Sequence, residues 1–532
     1  MVASLINCSI DIFSFEGGNY QILGAQLLSC VTNKRLNDSG GTFSIVLAPG
    51  GPTGVNAPPY WSQIITPMSL VVITMKRGER SAVVMVGVVT TAVEAVSWNT
   101  GGSVQRGISF SGMDYGYFFS MKDWYSLFYI AHFGAGANLG ALTGGLSQGS
   151  PHDIGALWFS KVMLTTLQRS YVPFNSAQVP FKTAVGTLFE AYPVKVPSAY
   201  YFVDGSDNWI GKFRNIFISP YYEVFVTTAP DGGYGAASGY QFFTQEQRSI
   251  TGGPVLVARV NPIPNLTSSL EGNLVTFTGV DVSRWIKLPV NTLDEGALLQ
   301  STVSFDEQQV TNFYTLNPTF AFNTQGGDNS SIVPSIANFA AVADQASIAR
   351  YGFRPANASF YWFADPTTNQ GANGGDSAQK SLLALAGRLL GVFCGVYHPT
   401  PLMARASVSM PLRPDIMIGT RFSYTPWKSG ETWDFYIDSV QHQFTFGGQS
   451  RTTLMLSRGL PSAVYNNPAL LLNVYLGNAQ RIDAVYTSGL PSGAAPYLQA
   501  FTLNAINELF NNQIYPLYTK PQATQNPTPA PP

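Results

Sequence analysis

Asp114 closes the stretch Arg106–Gly116 (RGISFSGMDYG), in which Ile108 and Phe110 alternate with Ser109 and Ser111 until Gly112 ends the pattern. An acid at a strand end could do general acid or base chemistry. Beside two glycines, however, an Asp more commonly holds a turn by accepting bonds from nearby backbone N–H groups. The other chemical candidates are weaker. Ser147 sits in Gly145–Gly149 (GLSQG), which fits the G-x-S-x-G pattern of a hydrolase nucleophile. That pattern needs a strand before the serine and a helix directly after it. Here a glycine-rich stretch precedes Ser147, and Gly149 and Pro151 fall where the helix should already run. Gly134–Gly140 (GAGANLG) resembles a dinucleotide loop but is one residue too long, and no βαβ pattern follows it. His132, His152, His398 and His442 are scattered without metal-ligand spacing. The acid pairs Asp294–Glu295 and Asp306–Glu307 are adjacent in sequence. On a strand such neighbours point to opposite faces, so solvated turns are the preferred reading. The sequence therefore nominates no catalytic, cofactor-binding or metal-binding residue, and no cofactor; Asp114 is expected to be a turn residue.

The elements that would carry these residues follow from composition and pattern. Only 11% of the 532 residues are charged, against roughly 25% in ordinary domains, and aromatics make up 13%. With 51 glycines and 35 prolines the chain reads as strand- and loop-rich. So little charge on so long a chain points to surface covered by neighbours, since obligate interfaces resemble a domain core cut in half. The net charge is −1, and no basic block appears, which argues against tight nucleic-acid binding. Cys8, Cys30 and Cys394 have no framework spacing and read as reduced thiols. The N-terminal residues lack the pattern of a secretion signal. The uncharged run from Trp124 to His152 is too rich in Gly, Ser, Asn and Gln for a membrane helix, so no stable membrane insertion is expected.

The expected fold class is mainly β with α insertions (α+β): two tandem small β-barrels with helical and β accessory domains. Residues 1–118 form the first barrel, with TFSIVLAP alternating and a tight turn at Arg77–Arg80. Residues 119–200 form a helical insert, in which Ser150 caps, Pro151 opens a helix and Asp153 takes the capping-box position. Residues 201–290 form a β-rich accessory domain, 291–325 lead into the second barrel, and 326–402 are helical. The second barrel spans 403–460, with four strands. Residues 461–532 are an appendage with a helix near Leu498, Phe501, Ala505 and Leu509 and a Pro-rich tail. Both barrels have an apolar strand after a proline (Pro67, Pro414), a central strand, and a closing strand started by arginine. This reads as a duplication of one unit.

The ordered set FSIVLAP, PMSLVVITM, VVMVGVV and RGISFSGMDYG resembles the opening barrel of baseplate hub proteins of contractile-tailed bacteriophages, whose strand running into Gly-x-Asp-Tyr is here Gly112, Met113, Asp114 and Tyr115. VSFDEQQVTNFYTLNP, SIARYGFRP and the run from PDIMIGTRFSYTP to RTTLMLSRG resemble the second barrel of that family, which is related to the N-terminal part of type VI secretion spike proteins. The resemblance implies a structural virion protein without enzymatic activity, located in the tail baseplate and assembled in the host cytoplasm. It further implies a homotrimer whose six barrels match a hexameric tail tube on one side and a trimeric central spike on the other. The implied partners are the tail tube protein, the spike, other baseplate proteins, and genomic DNA that passes through the channel without specific binding. The alternatives are a tail-associated serine hydrolase using Ser147, separable by labelling with a fluorophosphonate probe, an outer-membrane barrel, and another tail-tube or virion structural protein.

Overall fold

In a computed structural model of the chain, the described residues are 6–14, 18–52, 58–98, 104–121, 148–159, 186–190, 196–197, 208–228, 254–271, 274–293, 297–307, 310–318, 339–344, 350–352, 354–360, 388, 391–392, 403–426, 430–476 and 482–483. They divide into two compact units. The first holds Met1–Pro262, Ser283–Phe305 and Met403–Tyr465; the second holds Ile263–Val282, Asp306–Leu402 and Asn466–Pro532.

In chain order the first strands are β1 (Ile6–Phe13), β2 (Asn19–Ile22), β3 (Leu27–Arg35), β4 (Thr42–Leu47), β5 (Leu70–Arg77), β6 (Arg80–Trp98) and β7 (Val104–Asp114). The middle of the chain supplies β8 (Gln148–Gly149), β9 (Gly186–Phe189), β10 (Val196–Pro197), β11 (Tyr222–Thr228), β12 (Pro254–Val260), β13 (Asn265–Glu271) and β14 (Leu274–Asp281). Then come β15 (Val290–Thr292), β16 (Gln300–Ser304), β17 (Phe313–Pro318), β18 (Phe339–Asp344) and β19 (Pro355–Phe360). The last are β20 (Ala404–Pro411), β21 (Arg421–Tyr424), β22 (Trp433–Thr445), β23 (Arg451–Pro461) and β24 (Ile482–Asp483). The described helices are α1 (Gly116–Phe119), α2 (Pro151–Trp158), α3 (Trp209–Ile216), α4 (Ser283–Lys287), α5 (Ser462–Tyr465) and α6 (Pro468–Leu476). The fold is mainly antiparallel β with short helices, as composition implied.

Local chemistry explains the strands of the first unit. β4 alternates strictly, burying Phe43, Ile45 and Leu47 and exposing Thr42, Ser44 and Val46. β5 and β6 form a hairpin closed at the Arg77–Arg80 pair, with Gly78 at φ 61, the left-handed conformation such a turn demands. Val84–Val89 of β6 is buried on both faces, as its unbroken apolar run predicts. β1, β3, β4, β5, β6 and β7 share one apolar core that includes Cys8, Cys30, Phe43, Ile73, Met85 and Phe110. Phe43 and Phe110 meet edge to face at 6.4 Å.

Thirteen strands form one sheet, and its order contains a repeat. Neighbours in the first module run β1, β5, β6, β7, β4, β3; in the second they run β15, β21, β22, β23, β20, β16. Each pairing in one module has its counterpart in the other, and all are antiparallel except β15 with β21. The central strands even share a bulge. The register of β6 shifts between Val89 and Thr91, and that of β22 between Ile437 and Ser439. Each shift follows shortly after the last residue paired to β5 or β21, Val88 and Tyr436 respectively. The expected duplication is thus visible in the strand pairing itself.

Three features differ from the sequence reading. The two modules, expected as tandem small barrels, are joined in one sheet by the pairing of β3 with β22. α3 occupies a stretch read as strands: Asn208 Oδ1 caps it by accepting from Gly211 N–H at 2.7 Å, and Trp209, Ile210, Phe213 and Ile216 make a helical apolar face that is buried. β18 and β19 lie in the 326–402 segment read as helical. Both pair with β17, and ladder formation overrides the helical preference of an alanine-rich run such as FAAVAD. The expected helix at 151–158 is present, with Ser150 Oγ accepting from Asp153 N–H at 3.1 Å. In the first unit β11, β12 and β9 form a small sheet. The rings of Phe159, Phe189, Phe213 and Phe217 pack beside it. The helices expected near 123–133 and 498–509 and the Pro-rich tail lie outside the described residues.

A Cβ added at Gly112 would overlap the Val88 carbonyl oxygen and the Phe43 ring, whereas one at Gly107 meets nothing within 4 Å. Gly112→Ala is therefore expected to destabilise the first unit by about 1–3 kcal/mol, and Gly107→Ala to leave it within about 0.5 kcal/mol. Denaturant unfolding of the two variants checks this.

Candidate assembly interface

Asp114, the first candidate from sequence, ends β7 next to the junction of the modules. Its Oδ1 accepts from Gly116 N–H at 2.8 Å and its own N–H donates to the Gly41 carbonyl at 2.9 Å. The turn role is as expected. What sequence did not disclose is that the carboxylate is buried, with the Lys34 ammonium 3.9 Å from Oδ2. Lys34 comes from β3, and its Nζ donates to Thr228 Oγ1 at 2.6 Å. Burial lowers the Lys34 pKa to about 8, partly offset by Asp114, and burial raises that of Asp114. The glycines around Asp114 permit this approach: a side chain at Gly116 would collide with the backbone of Ser39 and Gly40.

The junction is antiparallel, from Ser439 opposite Arg35 to Thr445 opposite Ser29. Leu36 N–H adds a bond to the Asp438 carbonyl, and Phe446 N–H one to that of Leu28, each at 3.0 Å. Side chains alternate across it. Lys34, Thr32, Val440, His442 and Phe444 turn inward and are buried. His442 lies opposite Thr32. Its Nδ1 is 2.9 Å from Thr452 Oγ1, which already accepts from Arg413 N–H at 2.8 Å. Burial pulls the His442 pKa down to about 4. A second buried network ties β22 to the small sheet. Arg259 donates to Glu223 Oε2 at 3.0 and 2.9 Å and to the Gly419 carbonyl at 2.7 Å, and the Tyr436 hydroxyl donates to Glu223 at 2.6 Å.

The outward-turned residues make an open face that is mostly uncharged but carries the exposed Arg35, Arg405 and Arg451. Register aligns Gln443, Val31, Ser44, Ser111 and Thr91 in one row, and Thr453, Gln441, Asn33 and Thr42 in the next. None of these is buried.

The remaining sequence candidates are not drawn together. His152 is on the surface, 3.1 Å from Asp153 Oδ1, and the side chain of Glu307 is exposed. Among the described residues no group of three His, Cys, Asp or Glu could hold a metal ion, and no helix is long and apolar enough to cross a membrane. Ser147, Gly134–Gly140, His132, His398, Cys394 and Asp294–Glu295 lie outside the described residues.

No protein-family model matches the chain, and no curated protein matches it. Similar solved structures include the tail protein from Neisseria meningitidis MC58 (8% identity, 85% of this chain and 96% of that one, TM-score 0.41). The 43 kDa tail protein of prophage MuSo2 from Shewanella oneidensis is similar over 85% of this chain and 98% of its own (10% identity, TM-score 0.38). So is the E. coli c3393 protein, a component of the type VI secretion system (9% identity, 82% and 73%, TM-score 0.31). At such scores the functional reading rests on the chain's own strand order.

Two outcomes follow from the junction. Lys34→Met strands the buried Asp114 carboxylate and is expected to cost about 3–5 kcal/mol; adding Asp114→Asn should recover at least about 1 kcal/mol of that in a double-mutant cycle. His442 binds its proton more weakly folded, at about 4, than at the ordinary 6.5. The unfolded chain therefore takes up more protons between these values, and stability is lost as pH falls from 6.5 to about 4. Asp438, raised to about 6 by burial, acts in the opposite sense but titrates in both proteins compared. Over this window His442→Gln should lose on the order of 2–3 kcal/mol less than the parent, measured by urea unfolding at each pH.

Proposed function

We propose that the chain is a phage tail baseplate hub. It is a homotrimeric, non-enzymatic symmetry adaptor that joins a hexameric tail tube to a trimeric central spike and lines the channel through which DNA leaves. The observation that carries this reading is the repeated strand order, β1-β5-β6-β7-β4-β3 and β15-β21-β22-β23-β20-β16, joined through β3 and β22. A chain with two like modules presents six of them as a trimer. Such a particle offers sixfold-like contacts to a tube and threefold contacts to a spike. The motif resemblance, from FSIVLAP to RTTLMLSRG in order along the chain, supports the same assignment.

The open face suits the channel wall. Its rows Gln443–Val31–Ser44–Ser111–Thr91 and Thr453–Gln441–Asn33–Thr42 carry hydroxyls, amides and a valine. Affinity for a nucleic-acid backbone comes mainly from cations that displace its counterions, so a wall whose cations are the few scattered arginines Arg35, Arg405 and Arg451 would hold DNA weakly and let it slide. The domain scheme belongs to the same proposal: residues 119–200 and 461–532 lie beyond the duplicated modules, where partners particular to this tail would bind. The site of action is the virion baseplate, assembled in the host cytoplasm.

Light scattering on the purified full chain tests the reading. A particle of three chains is expected. A monomer over a wide concentration range, or a stable hexamer, would overturn it.

A further inference from the structure

The first module buries two charged side chains among its described residues, Lys34 and Asp114, and they face each other. Nζ of Lys34 lies 3.9 Å from Oδ2 of Asp114, with side-chain exposures of 11% and 2%. The two carboxylate oxygens differ. Oδ1 accepts from Gly116 N–H at 2.8 Å, whereas Oδ2 is buried and accepts no hydrogen bond. On its other side Nζ donates to Thr228 Oγ1 at 2.6 Å. A bond from an ammonium to a carboxylate usually closes to about 2.7–2.9 Å, and this pair stops short of it. An amine and a carboxyl held side by side away from water are also the two reactants of an amide.

We infer that Lys34 and Asp114 are a site of covalent modification, at which Nζ condenses with the Asp114 carboxyl to form an isopeptide bond between β3 and β7 and releases one water. The bond is independent of the hub reading above. In water such a condensation is opposed because both groups are ionised. Burial removes that opposition: it lowers the Lys34 pKa to about 8 and raises that of Asp114, so both shifts favour the uncharged, reactive forms.

The atoms balance without a further reactant. One proton moves from Nζ to Oδ2 and turns the ion pair into an amine and an acid, with no proton gained or lost overall. With one N–H on Thr228, the amine keeps its lone pair for the carboxyl carbon. Attack forms the Nζ–Cγ bond. The charge that develops falls on Oδ1, where Gly116 N–H already points, as a backbone donor does in an oxyanion hole. The Cγ–Oδ2 bond then breaks. Oδ2 leaves as water, carrying the proton it first received and a second one from Nζ. The amide keeps one N–H, and Oδ1 becomes its carbonyl oxygen. Fixing the two groups in the fold supplies the high effective concentration that an intramolecular condensation needs. A cavity of about 20 Å³, lined by Lys34, Val84, Thr228 and His442 among others, adjoins the amine. It has room for the released water.

The strands concerned give the bond a purpose. β3 and β7 lie on either side of β4, and β3 also carries the junction with β22. The bond holds β4 between its neighbours and anchors the junction to the end of β7. The first module then cannot open at this point without breaking a covalent link.

Mass spectrometry of the purified full chain, incubated folded for several days and then denatured, tests the bond. The expected mass is lower than that of the sequence by one water. Digestion should then yield a branched peptide that joins the segments holding Lys34 and Asp114. Lys34→Arg keeps the cation but offers no amine that can condense, and it should show the full mass and no branched peptide. A parent chain that stays at full mass, or a lost water that maps to any other residues, overturns the bond and leaves an ion pair. The parent chain decides the matter by itself, so the test holds even where the arginine variant fails to fold.

Discussion

Seven residues of β3 and seven of β22 pair across the gap between the two halves of the repeat, and through that ladder the modules become one sheet. Antiparallel pairing fixes more than proximity. A slip of one residue would turn every side chain to the opposite face. Lys34, Thr32, His442 and Phe444 would then meet solvent, and Asn33, Gln441 and Gln443 would be buried without partners. The register is held because one face is packed and the other is polar. The bulge at Asp438 lets β22 serve β21 along its first part and β3 along its last.

The polar groups buried near this ladder are costly, and most have a partner, although Asp114 Oδ2 accepts no hydrogen bond and has only the Lys34 ammonium 3.9 Å away. Lys34 reaches Thr228 and lies close to Asp114, and His442 is met by Thr452. Arg259, Glu223 and Tyr436 bind the small sheet of β9, β11 and β12 to β22. Buried charges of this kind are weak sources of stability but punish misplacement heavily. Here they tie three elements, β3, β7 and β11, to one spot and so specify how the first module meets its surroundings. Asp114, which looks in sequence like a possible catalytic acid, is one of these positioning groups.

The low charge content acquires a physical meaning in the same frame. A wide sheet with one face in the core needs a second face that water or a neighbour can satisfy. Ser, Thr, Asn and Gln fill most of it here, with Arg35, Arg405 and Arg451 among them.

Much of this was legible in the sequence. Alternation in TFSIVLAP, the Gly78 turn, the apolar run VVMVGVV and the Ser150 cap are decided by local sterics and solvation, so their residues announce them. The repeat could be glimpsed because its closing strands share spacing around arginine and glycine. Only the tertiary structure decided that the two modules share one sheet, because β3 and β22 are some four hundred positions apart and no local pattern records a long-range register. It alone brought Lys34 to Asp114 and Thr228, since a buried ion pair leaves no spacing rule in sequence. It alone turned the alanine-rich β18 into a strand, because pairing with β17 outweighs intrinsic preference. Short-range geometry is written in adjacent residues; which edges meet is settled by burial summed over the whole sheet.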